Sequence, residues 1–248
     1  MAAADETVCK LKKSRLRRAN LGREVMSQDQ DAHVRTGPYP VQPAAATRAV
    51  DIALASIGLT LVAPLLVFLA VLVQWDSPGP AFYPARRVGR NGRPFTMFKL
   101  RTMAHGVTGP AVTRNRDPRV TPVGAILRQA KLDELPQLLN VVRGEMALVG
   151  PRPEAPVFVE ARRDDFAPLL SIRPGLFGIS QIVFRDEQAL LPLIQAGVAA
   201  TGKDAPDLYA DWILPRKIEL DRRYLARRSF ALDLGILARS LVGLLRRW

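Results

Sequence analysis

Cysteine is nearly missing from this 248-residue sequence: Cys9 stands alone, so no disulfide can form within the chain and no cysteine cage can hold zinc. Histidine is almost as scarce. His33 and His105 are too far apart to suggest a histidine metal site and read as ordinary polar residues. Carboxylates are the minority charge, 23 Asp and Glu against 36 Lys and Arg, which leaves a formal net charge of +13. Such a balance calls for a polyanionic partner: nucleic acid, an anionic membrane face or phosphorylated substrates. Glycine fingerprints of the Walker or Rossmann type are missing, and so are internal repeats. Apolar residues make up 48%, enough for a sizeable core and too many for wholesale disorder.

Residues 1–47 read as a polar tail with a basic cluster, Lys10, Lys12, Lys13, Arg15, Arg17 and Arg18, followed by Pro38, Pro40 and Pro43. A disordered segment leaning on anionic lipid and a merely solvated tail are both compatible with that composition. Ile52 to Val73 is the one uncharged run of membrane length; as a helix it measures about 33 Å, the thickness of a bilayer's hydrocarbon core. Two features complicate a simple span. Pro64 near the middle deletes a helix hydrogen bond. Basic residues flank both ends, Arg48 before the run and Arg86, Arg87, Arg90, Arg93, Lys99 and Arg101 after it, so both sides look cytoplasmic. A helix that breaks at Pro64 and returns satisfies both features, while a proline-tolerant spanning helix stays open. No small-residue cleavage site follows the run, which argues against a signal peptide.

Downstream, residues 81–103 read as a β-hairpin around Asn91-Gly92. Residues 104–120 read as loop. Thr121-Pro122 opens a helix with Thr121 as N-cap, Asp133 starts a second that Gly144 stops, and 154–172 and 186–227 read as helical. Phe230, Leu234, Leu237, Leu241, Leu244 and Trp248 share one face of a final helix, opposite Arg239 and Arg246. That pattern suits a membrane interface, or a helix packed on the core. The expected fold is mainly α with a small β-hairpin (α+β): a tail over 1–47, a membrane helix over 48–76 and a compact catalytic domain over 77–248, with amphipathic interfacial helices around it.

Asp133-Glu134, flanked by Arg128 and Lys131, is the pair with chemical promise. Asp and Glu are also what a helix start favours, so structure alone can explain them. The functional alternative uses the same geometry. A helix N-terminus attracts phosphate and keeps Asp133 ionised, ready to act as a nucleophile, while the nearby cations reduce its repulsion from a phosphate. Magnesium suits few carboxylates plus substrate phosphates. Arg152 between Pro151 and Pro153 is either a surface turn or a guanidinium held ready to fork onto phosphate.

In order, the blocks Phe98-Lys99-Leu100-Arg101-Thr102-Met103, Asn115 to Gly124, Leu132 to Val141, Leu148 to Glu154, Arg173-Pro174-Gly175 and Glu219-Leu220-Asp221 with Tyr224 resemble the bacterial sugar transferase family, the monotopic phosphoglycosyl transferases. The resemblance runs from about residue 47 to the end. It implies a re-entrant helix broken at Pro64. It implies attack by Asp133 on the β-phosphate of a UDP-sugar, with release of UMP and transfer of the phosphosugar to undecaprenyl phosphate. Glu134 is implied as base or metal-shell group. Lys99, Arg128, Pro151, Arg152, Pro153, Arg173 and Asp221 are implied to line the site, with Mg²⁺ held at Asp133 and Glu134. The implied setting is the cytoplasmic face of a bacterial inner membrane, in contact with anionic lipid, in exopolysaccharide, capsule, O-antigen or glycoprotein glycan synthesis. A second copy of the chain is a candidate partner; nucleic acid is not. Two departures stand out. The family's Ser-Pro at the helix break is Ala63-Pro64 here, without the hydroxyl that would occupy a freed backbone group. Leu176 to Ile182 lacks the family's tryptophan, which bears on sugar specificity. The rival reading is a membrane-tethered basic binding or scaffold protein without catalysis.

Overall fold

The structure is a computed structural model that describes residues 44–109, 112–113, 117–184 and 205–245. The basic tail, the stretch 185–204 and the C-terminal Trp248 lie outside the described residues.

Helix α1 spans Ala44–Asp76 and runs unbroken through Pro64, which corrects the break expected there: a long apolar helix tolerates a proline within it. At 33 residues it is about 50 Å long, more than a bilayer's hydrocarbon core requires. It is long and apolar enough to cross a membrane, yet it lies against the rest of the protein along its length. Near its start, Arg48 donates to the carbonyls of Val141, Val142 and Met146, and Asp51 accepts from the Leu148 amide at 3.3 Å. In the middle, Gly58 faces the Leu138 side chain. Towards its end, Leu66, Leu69 and Val73 share a core with Leu100 and Leu127. There Asp76 also accepts from the Val123 amide, and Arg101 donates to the carbonyls of Val73 and Ser77. The opposite face carries Ile57, Leu61, Val67, Phe68 and Trp75, all exposed.

The hairpin forms as expected. β1 (Phe82–Val88) and β2 (Pro94–Leu100) pair antiparallel with Tyr83 opposite Lys99. A 3₁₀ turn over Arg90–Gly92 joins them, and Asn91 and Gly92 take positive φ there, the conformation these residue types tolerate. α2 (Pro122–Ala130) starts where the Thr121 side chain caps the Gly124 amide. α3 (Gln137–Arg143) ends at Gly144 with φ 88°.

Three further expectations need correction. No α-helix starts at Asp133: Lys131 takes a left-handed conformation, a 3₁₀ turn covers Leu132–Glu134, and α3 begins only at Gln137, after Pro136. The stretch 154–172 is not one helix. It divides into α4 (Pro156–Ala161), α5 (Arg163–Phe166) and a 3₁₀ turn over Leu169–Ser171. Pro156 opens the first of these, and Pro168 stands between α5 and the 3₁₀ turn. Thirdly, a parallel pair unseen in the sequence, β3 (Ala147–Val149) and β4 (Gly175–Phe177), places Val149 opposite Phe177. Each strand has three residues, too few for a period-2 pattern to register.

α6 (Ile179–Val183) follows β4. After the break in the described chain come α7 (Ala205–Leu208), a π-helical turn over Tyr209–Ile213, α8 (Leu214–Ala226) and α9 (Phe230–Leu245). In α9 the reading of a helix packed on the core holds for one face. Ile236 is fully buried and Leu237 packs on the core, while Phe230, Leu234 and Leu241 stay exposed.

Candidate active site

The turn between α2 and α3 presents Asp133 and Glu134 to the end of β2. Left-handed Lys131 reverses the chain after α2, and its amide closes on the Arg128 carbonyl. The two carboxylates have different surroundings. Glu134 accepts from Lys99 at 3.3 Å and from both terminal nitrogens of Arg152, at 3.2 and 2.5 Å. Burial alone would raise its pKa; Arg152, then Lys99 and Lys131, overcome that and hold it well below the usual carboxylate range. Asp133 is 7% exposed and forms no hydrogen bond or ion pair among the described residues. Its pKa is raised by burial and by the charge of Glu134, against the pull of Lys99, Lys131 and Arg128. Thus Glu134 is the organised partner and Asp133 the available one.

Lys99 reaches Glu134 because it sits at the inner end of β2; burial lowers its pKa, and the Glu134 carboxylate partly restores it. Arg128, on the last turn of α2, donates through Nε to the Thr102 hydroxyl at 2.7 Å, within electrostatic reach of Asp133. Gly124 makes this approach possible, since a Cβ there would collide with the Thr102 backbone. Arg152 projects from the strap Pro151-Arg152-Pro153, which lines a small cleft with Gly89, Val159, Phe166 and Leu169.

Of the residues expected to line the site, the fold brings Lys99, Arg128, Asp133, Glu134 and Arg152 together, with Pro151 and Pro153 bracketing the last. Arg173 does not join them. It donates to the Gly144 carbonyl at the far end of α3, where a cation suits a helix C-terminus. Asp221 is buried in α8, its Oδ2 accepting from the Ser180 hydroxyl at 3.0 Å and its Oδ1 without a partner. Burial pushes its pKa up to about 7.

Sequence reasoning missed Gln137 and Asn140, which lie on the face of α3 turned to β2. Asn140 bridges the Phe98 amide, the Thr96 carbonyl and Glu145. Gln137 is fully buried with neither amide atom hydrogen-bonded. Their spacing from Asp133 was the available signal. An α-helix running from Asp133 would set Asp133, Gln137 and Asn140 on one face; in the structure only Gln137 and Asn140 share a helix.

A polar turn set against a lysine-bearing strand and a proline-bracketed arginine is the arrangement that the sequence resemblance implied. The sequence pattern described as bacterial sugar transferase matches residues 42–247. This chain belongs to that family. Among its relatives, the UDP-glucose:undecaprenyl-phosphate glucose-1-phosphate transferase of Caulobacter vibrioides is 45% identical over 152 residues, 59% of this chain and 57% of that protein. The exopolysaccharide production protein PSS of Rhizobium leguminosarum bv. phaseoli is 34% identical over 209 residues, 81% of this chain and 95% of that protein. The UDP-N-acetylgalactosamine-undecaprenyl-phosphate N-acetylgalactosaminephosphotransferase of Aeromonas hydrophila is 36% identical over 200 residues, 78% of this chain and 42% of that protein. The chain thus spans roughly half the length of the Caulobacter and Aeromonas relatives and nearly all of the Rhizobium one. The family match covers every residue of the carboxylate cluster.

Proposed function

We propose that this chain transfers a sugar phosphate from a UDP-sugar to undecaprenyl phosphate through a covalent intermediate on Asp133. One observation carries the reading: Asp133 is a buried carboxylate left without a hydrogen bond amid Lys99, Lys131 and Arg128, while its neighbour Glu134 is tied to two cations. A nucleophile has to be uncommitted, and a carboxylate attacking phosphate needs adjacent positive charge.

In the first step an Asp133 oxygen forms a bond to the β-phosphorus. The bond from that phosphorus to the bridging oxygen breaks, and UMP leaves with the electron pair. In the second step an oxygen of undecaprenyl phosphate attacks the same phosphorus, and the aspartyl carboxylate departs unchanged. Lys99 and Arg152 compensate charge on the transferring phosphoryl oxygens, and Arg128 screens Asp133 from the incoming diphosphate. The uncommitted oxygens of Asp133 suit a hard cation, and Glu134 would join by giving up one of its cations. Bound there, Mg²⁺ would neutralise diphosphate charge.

The setting we infer is one leaflet of the bacterial inner membrane, with the catalytic domain on the cytoplasmic face. Both ends of α1 are hydrogen-bonded to the same domain. Its outer face and that of α9 are apolar. With α1 unbroken at Pro64, a course within one leaflet accounts for this better than a simple span, whose ends emerge on opposite sides.

Purified protein given UDP-sugars and undecaprenyl phosphate should release UMP, and Asp133→Asn should abolish both release and any phosphosugar adduct. Release of UDP would refute the reading. An adduct that persists in Asp133→Asn would place the nucleophile elsewhere. A panel of UDP-sugars read by UMP release identifies the donor.

A further inference from the structure

A cation beside the Arg152 strap has no part in the proposed chemistry. Lys99 and Arg152 are tied to Glu134, and Lys217 to Glu154. Arg87, near the end of β1, is half-buried yet forms no ion pair among the described residues; its Nη1 donates to the Arg86 carbonyl at 2.9 Å. A guanidinium withdrawn from water without a carboxylate against it is costly to keep. Glu154 acts on it through its field, but that carboxylate is already held by the Tyr209 hydroxyl at 2.7 Å and by Lys217 at 3.0 Å.

The register of the hairpin sets the side on which Arg87 stands. Alternate residues of a strand share a face, so Tyr83, Ala85 and Arg87 lie on one side of β1, opposite Lys99, Met97 and Phe95 of β2. That is the face from which Lys99 reaches Glu134. Arg86 and its partner Thr96 take the other face, and Arg86 is exposed. At the Arg87 end, the Val88 amide donates to the Glu154 carbonyl at 3.2 Å, which ties β1 to the chain two residues beyond Arg152. Lys99 and Arg87 therefore bracket Arg152, Lys99 through the shared Glu134 carboxylate and Arg87 through the bonded backbone. Four residues of strand separate Tyr83, paired with Lys99, from Arg87, about 13 Å that long side chains shorten. The Arg152 charge is felt at Arg87.

We propose that Arg87 is a donor-binding residue that takes the α-phosphate of the UDP-sugar and holds UMP as it leaves. The inference rests on the transferase reading above. Attack on the β-phosphorus engages Lys99 and Arg152 with the transferring group. When the bond from that phosphorus to the bridging oxygen breaks, the electron pair stays on the oxygen, and the α-phosphate gains one negative charge. Lys99, Arg152 and Arg128 serve the other partners, so this charge needs a cation of its own. A guanidinium fork fits two phosphate oxygens, and positive charge set in advance where negative charge develops lowers the barrier.

Arg87→Gln removes the charge, and Arg86→Gln removes a neighbouring one from the opposite face as a control. Full-length protein in detergent is titrated with UMP by calorimetry, which needs no turnover. UMP release is then followed with UDP-sugar and undecaprenyl phosphate varied in turn, and melting temperature is measured in parallel. Wild type should bind UMP. Arg87→Gln should melt near wild type, while its Kd for UMP and its KM for UDP-sugar each rise about tenfold, as the loss of one charge-assisted hydrogen bond predicts. KM for undecaprenyl phosphate should not change, because UMP has left before that substrate reacts. Arg86→Gln should match wild type. A folded Arg87→Gln with wild-type affinity for UMP would overturn the proposal. So would an equal loss in Arg86→Gln, a penalty confined to undecaprenyl phosphate, or a wild type that does not bind UMP. Where Arg87→Gln fails to fold, Arg87→Lys decides, since it keeps the charge without the fork: a weakened Kd for UMP supports the assignment and an unchanged one overturns it. A wild type that binds UMP but releases none from any UDP-sugar breaks the transferase reading, and the UMP affinities still decide the assignment of Arg87.

Discussion

Replacing Asp221 by Asn should make this protein more stable, and by an amount that depends on pH. Asp221 is 5% exposed, has one oxygen bonded to Ser180 and one oxygen unpartnered, and burial lifts its pKa from 3.8 to about 7 against the smaller opposing effects of Ser180 and Lys217. In the unfolded chain the same carboxyl returns to its ordinary value. Between those two values the folded protein holds a proton that the unfolded chain has released. The stability contribution of this carboxyl is therefore complete below pH 3.8 and is lost as pH rises through about 7. The full loss is the shift from 3.8 to about 7 at 1.36 kcal/mol per pH unit, about 4 kcal/mol. Asparagine has nearly the shape of the protonated acid and does not titrate. The stability gap between Asp221→Asn and wild type should be near zero around pH 4, about 2 kcal/mol around pH 5, and about 4 kcal/mol above roughly pH 7.5. Denaturant unfolding followed by tryptophan fluorescence, in one detergent across that range, measures it. A gap that stays constant with pH, or a variant less stable than wild type on the alkaline side, would refute the reasoning. Activity of the same variant addresses a separate matter, the role in the site that the family resemblance implied for Asp221.

Lys99→Met removes the cation that most opposes the raised pKa of Asp133. In the mechanism we propose the ionised carboxylate is the reactive form, so the acid limb of kcat/KM for UMP release should move to higher pH, and the rate at the optimum should fall by about 10²-fold with the loss of one charge-stabilising group. An unmoved acid limb would separate Lys99 from Asp133. Gly175→Ala tests the strand pair under the Arg152 strap: a Cβ there would run into the backbone nitrogen and oxygen of Gly150, atoms that cannot swing aside. It should cost about 1–3 kcal/mol or more of stability, and an unchanged melting temperature would contradict the close approach.

Local rules gave the hairpin, because Asn91 and Gly92 are suited to the positive φ its turn adopts. They also gave α2, because Thr121 and Pro122 mark a helix start in two independent ways. The Asp133 start misled for a physical reason: Asp and Glu favour any helical first turn, and a 3₁₀ turn ahead of α3 satisfies that preference as well as an α-helix does. Glu134, Lys99 and Arg152 meet across 18 to 35 residues of sequence separation, a distance that only an alignment of motifs, not periodicity, could bridge. Arg173 marks the limit of motif transfer, since its block matches the family while its side chain serves a helix end. Glu154 was invisible because nothing next to it in sequence points to Tyr209 or Lys217, its partners 55 and 63 residues away.

The charge balance itself takes on a different meaning in three dimensions. An excess of 13 positive charges invites the idea that every arginine waits for phosphate or lipid. Several do neither. Arg48 and Arg173 donate to carbonyls around the end of α3, and Arg101 donates to carbonyls at the end of α1. Helix ends carry orphan carbonyls and partial negative charge, and where such an end lies beside apolar surface, water is a poor substitute for a guanidinium. Arg48 and Arg101 therefore do for α1 what apolar packing alone cannot: they hold its two ends to one domain, while Leu66, Leu69 and Val73 pack its second half onto Leu100 and Leu127. Because Arg48 grips the C-terminal end of α3 and the Asp133-Glu134 turn leads into its N-terminal end, α1 and the carboxylate pair share one rigid element about 10 Å long.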